Sequence, residues 1–213
     1  AIFEKEDIRT NESIIESGKA YDVICKTADK IDACAIVIGV GEHFLLENLV
    51  GSTTEKVSRM AKQSVIVINP HQKGKIENVT CAYDFSEHAE ATLDSAINIA
   101  KMMQANLDVL HVIQKSPYLS LSTKEDEPSL NAVKETLAQA TQRATEVVNY
   151  KVYVRKGKPS IEVCQFADEH DTDLLLIGAS GHSTLTRLFL GSTSGYVLSK
   201  APCSIMITKL KEA

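Results

Sequence analysis

The chain carries one sequence module twice. Gly18, Lys19, Cys25, Ala28, Asp29, Asp32, Ile38 and Gly39 match Gly157, Lys158, Cys164, Ala167, Asp168, Asp171, Ile177 and Gly178 without a gap. After a shift of one residue, Gly51, Ser52, Thr53, Val57, Ala61 and Ser64 match Gly191, Ser192, Thr193, Val197, Ala201 and Ser204. A repeat constrains the fold more than any single motif. Each copy must form the same elements, and their apolar faces must find cover.

The second copy is preceded by residues that have no counterpart before the first. Asn78 to Tyr83 reads as a strand. Glu87 to Met103 reads as a helix, with Ala89, Leu93, Ala96, Ile97, Ala100 and Met103 on one face. Ser86 stands where a cap is needed. Leu107 to Ile113 is a second strand, and residues 115–128, polar and with two prolines, form a loop. Ser129 to Val148 reads as a helix. The shared module follows, with strands at Lys151–Arg155 and Asp173–Ile177 and a helix from Pro159 to Glu169. A helix from Ser192 to Lys200 and a last strand, Ser204–Thr208, complete it. Pro159 suits a first helical turn, where its missing N–H costs nothing. The run Leu174-Leu175-Leu176-Ile177 suits a strand covered on both faces. The β-α-β-α-β-α-β-α-β order predicts an α/β fold: an open parallel five-stranded sheet with helices on both faces.

Composition excludes some classes of function. The net charge is −5 and the pI about 5.7, against the basic excess of a general nucleic-acid binder. No apolar run is long enough to span a membrane, and the first seven residues are too charged for a signal peptide. The five cysteines form no Cys-x-x-Cys pair, which argues against zinc or redox chemistry and for a reducing, cytoplasmic setting.

The chemistry lies in one loop. Residues 178–194 hold the pattern Gly-x2-Gly-x9-Gly-Ser. Gly178 and Gly181 allow backbone N–H groups to turn inward and a ligand to approach closely. Gly191-Ser192-Thr193 opens a helix, whose first N–H groups are unpaired and partly positive. Ser192, Thr193 and Ser194 add hydroxyls. Two sets of donors then converge on an anion, a phosphate chain above all. In an open α/β sheet, ligands bind at the carboxyl ends of the strands where the strand order reverses. With the order 3-2-1-4-5, Asp84 would face the glycine loop across that crevice. Beside phosphates, an Asp must bind a divalent ion or point to ribose or base.

The run Ala82-Tyr83-Asp84-Phe85-Ser86-Glu87, the strand end Leu110-His111-Val112-Ile113 and the glycine loop together resemble the universal stress protein family. The resemblance covers residues 77–209 as a complete domain and about 12–69 as a partial one. It implies the 3-2-1-4-5 order, dimerisation through strand five, and binding of ATP or a related adenine nucleotide (ADP, AMP). Carried over to this chain, it places Asp84 and Val112 beside the nucleoside and counts Ala82 and Tyr83 among the nucleotide-binding residues. Ile177, Gly178, Gly181, Gly191, Ser192, Thr193 and Ser194 would wrap ribose and phosphates. His182 is a further candidate for phosphate, and Asp84 for Mg²⁺. Ala82 stands where the family often has Pro.

The resemblance divides the chain into a partial repeat, 1–70 (strands three to five only), a linker, 71–76, and a complete domain, 77–213. The first copy departs from the pattern: Gly39-Val40-Gly41 is one residue short, and no strand-one Asp precedes it. It is expected to bind nucleotide poorly or not at all. Two complete modules would need about 270–300 residues; with 213, the chain is expected to lack the front half of its first copy. The expected partners are a nucleotide and a second sheet edge, strands 64–68 and 204–208 pairing within one chain as a pseudo-dimer or between two. A nucleotide-binding stress sensor competes with a slow ATPase or phosphoryl- or nucleotidyl-transfer enzyme, since Arg187 lies in the loop, and with an interaction module whose site has decayed.

Overall fold

The computed structural model describes residues 13–39, 51–70, 74–114, 129–147, 149–181 and 190–210. In chain order the elements are α1 (Ala20–Lys30), β1 (Ala35–Gly39), α2 (Ser52–Met60), β2 (Ser64–Ile68), β3 (Asn78–Ala82), α3 (Glu87–Met103), β4 (Asn106–Gln114), α4 (Leu130–Ala140), a 3₁₀ turn (Gln142–Glu146), β5 (Tyr150–Gly157), α5 (Pro159–Glu169), β6 (Leu174–Gly178), α6 (Ser192–Lys200) and β7 (Ser204–Thr208).

The strands form one sheet in the order β1-β2-β7-β6-β3-β4-β5. This corrects the expectation of a five-stranded, wholly parallel sheet. The sheet has seven strands and is mixed, because the two strands of the first repeat add to the edge of the second. Strands β3 to β7 run parallel to one another, and β1 runs parallel to β2. The change of direction falls at β2 and β7, which pair antiparallel with Val65 opposite Ile207 and Val67 opposite Ile205. Strands 64–68 and 204–208 thus meet within the chain. Neither is left as a bare edge that would recruit another strand.

Local chemistry explains the elements. The Ala89 N–H donates to the Ser86 Oγ at 3.2 Å, capping α3. Pro159 opens α5. Asp32 and Asp171 follow the paired helices with φ of 49° and 48°, so the repeat extends to a left-handed residue at the same position. Aspartate tolerates that region better than most side chains. Leu174 to Ile177 are all buried, since β6 is flanked by β7 and β3 and covered on both faces. Helix 129–148 is shorter than expected. It ends at Ala140, and a 3₁₀ turn follows. Thr141 ends it by donating its hydroxyl to the Leu137 carbonyl at 2.7 Å and bonding the Tyr150 hydroxyl. Residues 13–17 form no strand, and Ile15 is 97% exposed. The first copy's strand three is therefore not formed there, as no neighbouring strand offers it hydrogen bonds.

Two apolar layers enclose the sheet. One is shared by the two repeats: Val57, Val65 and Val67 of the first pack with Phe166, Leu175, Val197, Ile205 and Ile207 of the second. The other lies under α3 and α4 and includes Leu93, Ala96, Leu107, Leu137 and Leu176. The loop 115–128 and the linker residues 71–73 lie outside the described residues.

Candidate functional site

A cavity of about 750 Å³ opens at the carboxyl ends of β3, β4 and β6 and the start of α6. It is lined by Ala82, Tyr83, Asp84, Val112, Ile177, Gly178, Gly181, Gly191, Ser192, Thr193 and Ser194. Eleven of the twelve residues singled out from the sequence are therefore brought together; the twelfth, His182, lies outside the described residues, as does Arg187.

The topology produces this convergence. β3 pairs with both β4 and β6, so the chain leaves β3 in opposite senses toward its two neighbours, and a crevice opens above it. Asp84 sits in the turn after β3. Its Oδ1 accepts hydrogen bonds from the Ser86 N–H at 3.1 Å and the Ser86 hydroxyl at 2.5 Å. Phe85 has a φ of 63° and completes the turn, its ring edge-on to both Tyr83 and His111. The Tyr83 carbonyl meets the His111 Nδ1 at 2.8 Å, and the Tyr83 N–H donates to the Leu110 carbonyl at 2.9 Å. Three contacts from β4 and two from Ser86, the cap of α3, thus fix the turn that carries Asp84.

The glycine loop is pinned on the opposite side. The Gly191 N–H donates to the Ala179 carbonyl at 2.7 Å, and the Ala179 N–H donates to the Thr208 carbonyl at 2.9 Å. The start of α6 is thereby held against the end of β6. Gly191 has no side chain to cap α6, so the N–H groups of its first turn have no side-chain cap. A Cβ on Gly181 would overlap the Asp84 Oδ2. One on Gly178 would stand 3.1 Å from the His88 Cβ and 3.2 Å from the Ser180 carbonyl. A side chain at 181 would displace the Asp84 carboxylate, and one at 178 would crowd His88 and the loop backbone.

The structure reassigns two of the sequence candidates. The Ser194 hydroxyl donates to the Gly178 carbonyl at 2.6 Å, so it braces the loop instead of offering a free donor. The Tyr83 side chain turns into the core, with its hydroxyl on Glu90. Burial and the Glu90 carboxylate push that phenol well above its ordinary range.

Other lining residues have no motif in the sequence that marks them as part of the site. Ser180 bonds the His88 Nε2 at 3.1 Å. Leu110, Val163, Leu190 and Pro159 give the cavity an apolar side, and Gln114 a polar rim. Val163 and Pro159 belong to α5, far from the glycine motif in sequence. Only the helix-over-sheet crossing brings them here. Among the described residues no group of three or more His, Cys, Asp or Glu side chains could hold a metal. An Mg²⁺ ion at Asp84 would need phosphate oxygens as further ligands, a common arrangement for that ion.

No helix among the described residues is long and apolar enough to cross a membrane. A family model described as the Universal stress protein family matches residues 3–69 and 75–209. A universal stress protein of Methanocaldococcus jannaschii is 30% identical over 123 residues, which cover 54% of this chain and 71% of that protein. A putative universal stress protein of Staphylococcus haemolyticus is 28% identical over 142 residues, covering 64% and 86%. The structure of universal stress protein UspA from Lactobacillus plantarum superposes with a TM-score of 0.57 at 28% identity, over 64% of this chain and all of that one. A functionally unknown Pseudomonas aeruginosa protein shares the fold over 98% of this chain and 74% of its own, with a TM-score of 0.71 at 14% identity. With both segments matched by one family model, the chain belongs to the universal stress protein family.

Proposed function

We propose that the chain binds ATP or a related adenine nucleotide in the cavity between Asp84 and the glycine loop, and that it acts as a stress-response sensor or regulator. The observation that carries this reading is the pairing of two unlike walls on one cavity. The lining includes the N–H groups opening α6 with the Ser192 and Thr193 hydroxyls, a set suited to phosphate oxygens. It also includes Leu110, Val112, Val163 and Ile177, suited to a flat apolar base. Asp84 lines the same cavity, where a carboxylate suits ribose hydroxyls or a phosphate-bound Mg²⁺. The volume suits a ligand of nucleotide size.

Among the described residues the donors are backbone amides and hydroxyls, which hold an anion in place. Transfer of a phosphoryl group would in addition call for a cation and a base at the reacting phosphate. We therefore read the site as one that binds without efficient turnover. We place the protein in a reducing compartment, since all five cysteines are free thiols.

Isothermal titration of the full chain with ATP, ADP and AMP, with and without Mg²⁺, tests the reading. One site per chain is expected, with at least tenfold weaker binding in Asp84→Ala. Absence of heat and of any nucleotide in native mass spectra would overturn it.

A further inference from the structure

Phe85 holds a φ of 63°, a left-handed conformation that a bulky side chain disfavours. Such a residue persists only where its surroundings hold it. It directly follows Asp84, so whatever holds it also sets the Asp84 carboxylate. Part of that hold comes from β4, through the Leu110 carbonyl and the His111 ring. Another part leads away from the cavity, along the side chain of Tyr83.

Tyr83 is 3% exposed, and its ring stands edge-on to Phe85 with centroids 5.1 Å apart. Its hydroxyl donates to the Glu90 Oε1. The other oxygen of that carboxylate, Oε2, accepts from the Arg143 Nη2 at 2.6 Å. The same Nη2 reaches the Glu90 carbonyl at 3.2 Å, and the Arg143 Nε donates to the Asp94 Oδ1 at 2.7 Å. Glu90 and Asp94 are one helical turn apart on α3, so the guanidinium grips that helix at two levels. Charge-assisted bonds of this kind are short and directional. Arg143 is itself anchored. Its Nη1 donates to the Ala140 carbonyl at 3.3 Å. The next residue of the 3₁₀ turn, Ala144, is fully buried, with its N–H on the Thr141 carbonyl at 2.8 Å. A continuous run of contacts thus leads from the core under the 3₁₀ turn, through Arg143, Glu90 and Tyr83, to the residue before Asp84.

We propose that Arg143 is a positioning residue of the cavity. It holds Glu90, Glu90 holds the Tyr83 hydroxyl, and the Tyr83 ring keeps Phe85 and thereby Asp84 in place. Neither Arg143 nor Glu90 lines the cavity. With side chains 37% and 44% exposed, their ion pair by itself adds little to stability. Its consequence lies in the direction it imposes on a carboxylate shared with a buried phenol. The effect on affinity rests on the function proposed for the cavity; the effect on the turn does not.

The test compares Arg143→Met, Tyr83→Phe and the double variant in the full chain. Amide exchange without nucleotide reads the turn. In either single variant the Tyr83 and Ser86 amides should exchange about tenfold faster, while the Ala179 and Gly191 amides on the opposite wall stay unchanged. Titration with ATP and Mg²⁺ reads the consequence. Each single variant should bind about threefold more weakly or worse, and the double variant no more weakly than the worse single. Glu90→Gln, which keeps an acceptor for the Tyr83 hydroxyl, should bind better than Glu90→Leu. Asp94→Ala strips a surface contact from Arg143, leaves the path to Tyr83 intact and should bind as wild type does. The proposal is overturned if the two turn amides are unchanged in Arg143→Met, or if exchange rises equally on both walls, which would mean general destabilisation. It is also overturned if affinity is unchanged in both single variants, if their losses add, or if Asp94→Ala binds as weakly as Arg143→Met. A wild-type chain that binds no nucleotide would refute the function proposed for the cavity, and the exchange result would still decide the link.

Discussion

Gly181 and Asp84 meet across the cavity so closely that a single methyl group on residue 181 would overlap the Asp84 Oδ2. The two residues come from opposite sides of the crevice, one after β6 and one after β3. Their contact sets the width of the proposed site. It also ties the position of the Asp84 carboxylate to the absence of a side chain at 181.

Gly181→Ala should therefore weaken nucleotide binding by tenfold or more, about 1.4 kcal/mol per tenfold, with little change in thermal stability. The diagnostic comparison is with Asp84→Ala. If the glycine acts through the aspartate, the double variant loses no more affinity than Asp84→Ala alone, because coupled neighbours are non-additive. Titration calorimetry on the three variants reads this directly; additive losses would show that the glycine serves the ligand instead.

Ser86 has two tasks. It caps α3 through the Ala89 N–H and holds the Asp84 Oδ1 through its own N–H and hydroxyl. Ser86→Ala should cost about 1 kcal/mol of stability from the lost cap and also lower nucleotide affinity. Ser129→Ala removes the equivalent cap from α4, where the Ala132 N–H donates at 3.1 Å, and lies away from the cavity. It should affect stability only. Urea melts and binding isotherms on both variants make the comparison.

Because the layer around Ile207, Val65 and Phe166 is shared by both repeats, the described chain should unfold in one cooperative transition. Ile207→Ala, at a fully buried position opposite Val65, should lower stability by about 2–5 kcal/mol and move that whole transition. Calorimetry would reveal two separate peaks if the first repeat were an independent unit.

Lys209 follows β7 with its Nζ 3.5 Å from the Arg59 carbonyl. Burial pushes its ammonium down to about 8 from the ordinary 10.5, with nearby Cys25 acting in the opposite sense. Between those values the unfolded chain binds more protons than the folded one, so this group makes stability rise with pH across that window. Below about 8 both states are charged, and the folded state carries the desolvation cost. Cys164 and Cys203, pushed up by burial to about 11 and about 12, act oppositely in alkaline solution. The difference between wild type and Lys209→Met isolates the lysine. The variant should melt higher at neutral pH, and its advantage should shrink as pH rises toward 10.5.

Much of this architecture is legible in the sequence. The helix 87–103, with its Ser86 cap, and the helix 159–169, with its proline, have the bounds their local signals indicate. Short-range chemistry governs those boundaries. Apolar spacing alone carries the helix from Ser129 to Val148, past Ala140, while a buried threonine ends it through the tyrosine of a later strand. That bond is not a local signal. The place of Val163 and Pro159 in the cavity lining likewise has no local signal.

The sequence by itself determined the repeat, the helices and strands of the second copy, and the glycine spacing that marks the cavity. These rest on periodicity, capping and backbone freedom, all of which act over a few residues. Tertiary structure alone decided that seven strands form one mixed sheet, since β2 and β7 pair antiparallel across 135 and more residues of chain. It alone decided that Ser194 braces the loop and that Gly181 abuts Asp84. Such contacts depend on where the sheet order reverses, and that is fixed by packing both faces of the sheet at once, not by any segment of the chain.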